Sequence, residues 1–109
     1  MKELNLTDAT FEDAVLTSGA PVLVDLWAPW CGPCRMLSPV VEELAREYDG
    51  RVVVGKLNTD DNPETSARLR VSAIPTLLFV NKGKVVESLV GVHPKAEIKA
   101  RLDALISEG

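Results

Sequence analysis

Apolar residues in this chain fall into two patterns, short continuous runs and helically spaced sets, and the two alternate along its length. Leu4 and Leu6 alternate with polar neighbours, as in a short edge strand. Thr7 or Thr10 stands where it would cap a first helix, with Phe11, Ala14 and Val15 on one face and Gly19 ending it. Pro21 then opens Val22-Leu23-Val24-Asp25-Leu26-Trp27, apolar without alternation and broken only by Asp25. Such a run predicts a strand buried on both faces, as in parallel sheets. Met36, Leu37, Val40, Val41 and Leu44 recur at helical spacing and predict a helix to about Tyr48, with Gly50 as its stop. Pro39 inside that helix removes one backbone bond and predicts a kink.

Residues 51–57 read as the next strand, so strand, helix and strand make a βαβ unit with parallel pairing and a right-handed crossover. Asn62-Pro63 reads as a cap and first position of a short helix that ends near Arg70. Residues 76–80 and Lys84–Val90 are two strands joined by Asn81-Lys82-Gly83, a hairpin and hence antiparallel. Pro94 opens a last helix with Ile98, Leu102, Leu105 and Ile106 at helical spacing. The sum is an α/β chain, a mixed sheet with helices on both faces. Its 109 residues fit one domain, residues 1–109, with no internal repeat or linker.

Composition narrows the function. The chain is 46% hydrophobic and 26% charged, the make-up of a folded globular protein. Its net charge is −4 and its 12 basic residues are scattered, which argues against nucleic acid as a partner. No apolar stretch approaches membrane-spanning length, so no membrane partner is expected. Met1-Lys2-Glu3-Leu4-Asn5 lacks the apolar core of a signal peptide, which makes the cytoplasm the expected location. Thiols stay reduced there, so a lone cysteine pair reads as catalytic rather than structural.

That pair is Cys31 and Cys34, in Trp30-Cys31-Gly32-Pro33-Cys34, where the strand gives way to the helix. A thiol at this junction meets the positive end of a helix dipole and unpaired N–H groups, and both favour the thiolate. Two such thiols can close on each other reversibly. Half of a zinc site is a weaker reading, because two cysteines and a distant His93 fall short of the usual four ligands. A static disulfide across so short a loop stabilises little. Two chance core cysteines sit badly with the surrounding Trp, Gly and Pro. No metal is expected, and His93 reads as a solvent-facing residue near a helix start, without a role.

Trp-Cys-Gly-Pro-Cys at 30–34 resembles the active site of the thioredoxin family, and the agreement covers nearly the whole chain. It includes Asp25, Trp27, Pro39, Lys56, Ile74-Pro75-Thr76, Gly83 and Val90-Gly91. Cys-x-x-Cys beside a βαβ pattern is that family's redox signature. The resemblance implies the thioredoxin fold, a central mixed five-stranded sheet flanked by four helices. It also implies a monomeric general protein disulfide reductase with no bound cofactor. Its redox-active Cys31–Cys34 disulfide would take electrons from NADPH through a thioredoxin reductase and pass them to disulfide-containing proteins. In this family Gly-Pro between the cysteines goes with reductants, other pairs with oxidases and isomerases.

Roles follow residue by residue. Cys31, at the helix N-terminus, is the nucleophile; Cys34, a turn further in and more shielded, resolves the mixed disulfide. Gly32 allows close backbone approach, and Pro33 withholds a donor while pre-setting the helix turn. Burial of Asp25 in mid-strand should raise its pKa. It is either a structural carboxylate bonded to backbone or, in the favoured reading, the proton acceptor for Cys34. Lys56 on the neighbouring strand moderates that charge. Proline at a strand start is ordinary by itself; the resemblance adds a cis Ile74–Pro75 peptide beside the dithiol, with the Ile74 backbone pairing to extended substrate. Trp30, Pro29, Ile74, Val90 and Gly91 would form an apolar contact surface around Cys31, with Trp27 packed beneath. Two rival functions remain at this level, a glutathione-linked oxidoreductase of the same fold and a non-enzymatic binding subunit of a larger complex.

Overall fold

A computed structural model describes residues 3–108. The strand read as doubly buried, β2 (Val22–Trp27), lies at the middle of a five-stranded sheet with β1 (Leu4–Leu6), β3 (Val53–Asn58), β4 (Thr76–Asn81) and β5 (Lys84–Val90). The spatial order is β1-β3-β2-β4-β5. β2 runs parallel to β3 and antiparallel to β4, β1 is parallel to β3, and β4 and β5 form the hairpin, so the sheet is mixed as expected.

Strand alternation explains why β2 carries no polar face. Leu23 points to the side where Leu77 and Phe79 meet Leu37, Val41 and Leu44 of helix α1 (Gly32–Glu47) and Ile98, Leu102 and Leu105 of helix α3 (Lys95–Ser107). Val22, Val24 and Leu26 point the other way, onto Phe11 and Val15 of a first short helix, Glu12–Leu16 with its leading residue. Together with α2 (Pro63–Arg68), the helices among the described residues number four. Asp25 shares the α1 side with Leu23, which places a carboxylate under the N-terminal half of that helix.

Several boundaries differ from the sequence reading, each for a local reason. The first helix is wound with i→i+5 bonds, the Thr17 N–H donating to the Glu12 carbonyl at 3.1 Å, and no threonine caps it. Thr7 and Thr10 serve each other instead, each backbone N–H donating to the other's hydroxyl at 3.0 and 3.2 Å. Residues 51 and 52 belong to a turn, because the N–H groups of Arg51 and Val52 both donate to the Tyr48 carbonyl. Asn62 does occupy the N-cap position of α2, but its side chain is engaged elsewhere, accepting from the Asp8 N–H at 2.8 Å and donating to the Asn58 carbonyl at 2.9 Å. The cap comes from Asp8, whose carboxylate accepts from the N–H groups of Glu64 and Thr65 at 3.3 and 2.8 Å. α2 stops at Arg68, ahead of Arg70, which has a positive φ of 56°. The hairpin turn is Lys82-Gly83 alone, both with positive φ, as two-residue turns that match the strand twist require. A Cβ at Gly83 would lie 2.6 Å from the Leu16 carbonyl oxygen, so the position has no room for another residue.

Candidate active site

The chain leaves the C-terminal end of β2 in mid-sheet, and a turn closed by the Cys31 N–H to the Ala28 carbonyl at 3.1 Å reverses it into α1. Cys31 is the N-cap of α1, and its Sγ accepts the Cys34 N–H at 3.2 Å. A sulfur thus takes the place of the usual capping oxygen, and the same N–H is aimed to stabilise negative charge there. Gly32 and Pro33 fill the first two helical positions, where the missing N–H of Pro33 leaves no donor unpaired. Cys31 and Cys34 are joined as a disulfide with their Cα atoms 5.3 Å apart.

Exposure does not separate the two cysteines: each is 4% exposed in this closed form, so the greater shielding expected for Cys34 is not seen. Their surroundings do separate them. Cys34 lines a cavity of about 100 Å³ together with Asp25, Trp27, Ser38 and Lys56, whereas Cys31 is not part of its wall and follows the exposed Trp30.

Asp25 is 2% exposed, and its Oδ1 has no hydrogen-bond partner among the described residues. Burial is the main reason its carboxyl is pushed up to about 7; the charge of Glu3 adds to the rise and the Lys56 ammonium opposes it. Among the described residues no backbone group bonds this carboxylate, so the structural alternative of a backbone-satisfied Asp finds no support. Lys56 stands directly opposite Asp25 in the β2–β3 register. Its ammonium lies 3.8 Å from Glu3 Oε1 and 4.9 Å from the centre of the Trp27 ring. Glu3 carries no mark in the sequence, although the alternation with Leu4 and Leu6 puts it on the Lys56 side of the edge strand.

The distant residues converge on the same spot. Ile74 packs on the cluster of Ala28, Cys31 and Cys34, as does Trp27. The Ile74–Pro75 peptide is cis, and the Pro75 carbonyl accepts the Gly91 N–H at 2.8 Å. Val90 pairs with Thr76, the residue after Pro75, and is exposed. Trp30 is 69% exposed, and its indole N–H donates to both carboxylate oxygens of Asp60, at 2.9 and 3.2 Å. Sequence reasoning misses Asp60 as well, since no local signal links it to a tryptophan 30 residues earlier. His93 is not the idle surface residue expected: its ring bonds the Val90 carbonyl at 2.9 Å and Glu97 at 3.1 Å, bracing the Val90-Gly91 turn. The Glu97 contact, then the Val90 carbonyl, raises the His93 pKa.

One disulfide closed at a helix N-terminus beside a buried carboxylate defines a class: thiol–disulfide oxidoreductases. The sequence model of the thioredoxin family matches residues 2–104. The chain is 47% identical over 107 residues to a thioredoxin of Pyropia yezoensis, covering 98% of this chain and 100% of that protein. It is 50% identical over 98 residues to thioredoxin 1 of Synechococcus elongatus, covering 90% of this chain and 92% of that one. It is also 50% identical over 95 residues to a thioredoxin of Haemophilus influenzae, covering 87% and 89%. The chain belongs to the thioredoxin family. It is a protein-disulfide reductase whose redox centre is the Cys31–Cys34 pair. Among the described residues no helix is long and apolar enough to cross a membrane.

Proposed function

We propose that Cys31 attacks the substrate disulfide and that Cys34 resolves the product with Asp25 as its proton acceptor. In the first step the Cys31 thiolate bonds one substrate sulfur, the substrate S–S bond breaks, and the departing thiolate takes a proton from water. In the second, the Cys34 proton passes to Asp25 as Cys34 Sγ bonds Cys31 Sγ, and the second substrate thiolate leaves. The substrate gains two electrons and the Cys31–Cys34 pair ends as a disulfide. The observation that carries the assignment is the capping geometry: the N–H at the mouth of α1 is aimed at Cys31 Sγ, while Cys34 faces the cavity it shares with Asp25. Lys56 moderates the Asp25 charge from the neighbouring strand. Gly32 keeps the approach to Cys31 low, and Pro33 withholds one donor there.

Trp30, Ile74, Val90 and Gly91 form the surface that receives an extended segment of protein substrate, the Ile74 backbone adding it as a strand. Pro75, expected to touch substrate, is itself buried and supports that surface from below through its cis bond to Ile74. Pro29, next to Trp30 in the chain, is exposed as well and extends the apolar rim. Electrons come from NADPH through a thioredoxin reductase, which docks on the same surface. The protein works in the cytoplasm, where thiols are kept reduced, and as a monomer, because a second copy seated on the apolar rim would cover the dithiol. It is read as one domain over residues 1–109.

Insulin reduction coupled to NADPH and thioredoxin reductase tests this reading. Turnover with that reductase is expected, and turnover only with glutathione and its reductase would sink it. Replacing Trp30 by Ala should raise KM for protein disulfides about tenfold, the loss typical of an interface tryptophan. Reduction of a small aromatic disulfide by the same variant should stay near the wild-type rate, since that substrate needs no rim. Equal losses on both substrates would place Trp30 in the chemistry rather than in the contact.

A further inference from the structure

Glu3 lies outside every role assigned above. It immediately precedes β1, its side chain is 11% exposed, and its Oε2 is buried with no hydrogen-bond partner among the described residues. Its other oxygen stands 3.8 Å from Lys56 Nζ. Lys56 faces Asp25 across the β2–β3 register, yet no ion pair joins the two; the ammonium is turned to Glu3 and lies over the Trp27 ring. Two carboxylates, each with an unpartnered oxygen, therefore compete for one ammonium in a region largely closed to water.

A lysine opposite a buried carboxylate draws that carboxylate into its ionised form. A second carboxylate on the far side of the lysine opposes this twice, by engaging the ammonium and by adding negative charge. We propose that Glu3 is a positioning residue for the resolving step, holding Lys56 on the β1 side so that Asp25 stays basic enough to take the Cys34 proton near neutral pH. The proposal rests on the reading of Asp25 as that proton's acceptor. The charge of Glu3 is the largest contribution to the raised Asp25 pKa after burial, while Lys56 acts in the opposite direction. Burial raises the pKa of Glu3 as well, with Glu42 of α1 adding to it. The remaining surroundings are Arg35 of α1, on the wall of the same cavity, and Leu77 of β4, the uncharged register partner of Asp25.

The test follows resolution of a mixed disulfide between Cys31 and a peptide thiol, by rapid mixing between about pH 5 and pH 9. The Asp25 carboxyl carbon is titrated by NMR in the reduced protein alongside. Glu3→Gln keeps the shape and removes the charge; the acid limb of the rate profile and the Asp25 titration should both move down by roughly one pH unit. Glu3→Asp, which keeps the charge, should retain most of the wild-type profile, a result that packing alone does not produce. Asp25→Asn should erase the limb. A limb and a titration left in place by Glu3→Gln, with Asp25→Asn still erasing the limb, overturn the role of Glu3 and leave that of Asp25 standing. A limb that survives Asp25→Asn overturns both.

Discussion

Cys31→Ser is expected to bring insulin reduction down to the background rate, a loss on the order of 10³-fold or more, the scale on which enzymes lose rate when the attacking atom is removed. A hydroxyl at the α1 N-cap still accepts the Cys34 N–H, so the helix start should survive and the fold with it. Cys34→Ser should behave differently. Cys31 keeps its place at the mouth of the helix and still attacks, but nothing resolves the product, so a mixed disulfide with substrate should accumulate and be visible by mass spectrometry. Accumulation in Cys31→Ser instead, through Cys34, would reverse the two roles. The distinction matters because the closed form does not make it by exposure; it is made by the N–H at one sulfur and the cavity at the other.

Asp25 should govern how stability depends on pH. Its folded pKa is about 7 against an ordinary value of 3.8. Between those values the unfolded chain has released the proton while the folded chain still holds it, so stability is lost as pH rises from about 4 to 7 and is then flat. A rise of that size is worth about 4 kcal/mol across the window. Asp25→Asn removes the titration, so the stability of the variant relative to wild type should rise by about that amount between pH 4 and pH 8. Urea unfolding of the oxidised proteins at several pH values measures it; groups common to both proteins largely cancel in the difference. Parallel pH curves would mean that the Asp25 carboxylate is solvated or paired after all.

The parts of the site legible in the sequence were those written in local pattern. An apolar run without alternation, broken only by one aspartate, marks β2 and the burial of Asp25, and the change from that run to helical spacing puts Cys31 at a helix N-terminus. Val90-Gly91 and Ile74-Pro75 could be joined to the dithiol only through the family resemblance, since their approach depends on strand register: Val90 reaches the site because β5 pairs Val90 with Thr76. Contacts made by closing long loops carried no signal at all. The Asp8 cap on α2, the Asp60 bond to Trp30 and the Glu3 pair with Lys56 each join residues 30 or more positions apart, and each uses an ordinary surface residue type. Thr7 and Thr10 illustrate a subtler limit. Both were candidate caps, and two neighbouring candidates can satisfy each other and leave the helix to start further on.

The place of β2 in the sheet has a consequence for how the molecule fails. Sheets open locally from their edges, and hydrogen exchange from a central strand waits for the whole domain to unfold. β1 and β5 take the edges here, while β2 is bonded on both sides by β3 and β4. The redox centre is carried directly off that strand. Fraying under heat or denaturant therefore falls first on β1 and β5, where it reaches Glu3 and the Val90-Gly91 part of the contact surface, while Cys31, Cys34 and Asp25 keep their places until the cooperative transition. Reduction of protein disulfides should fade before reduction of a small disulfide does.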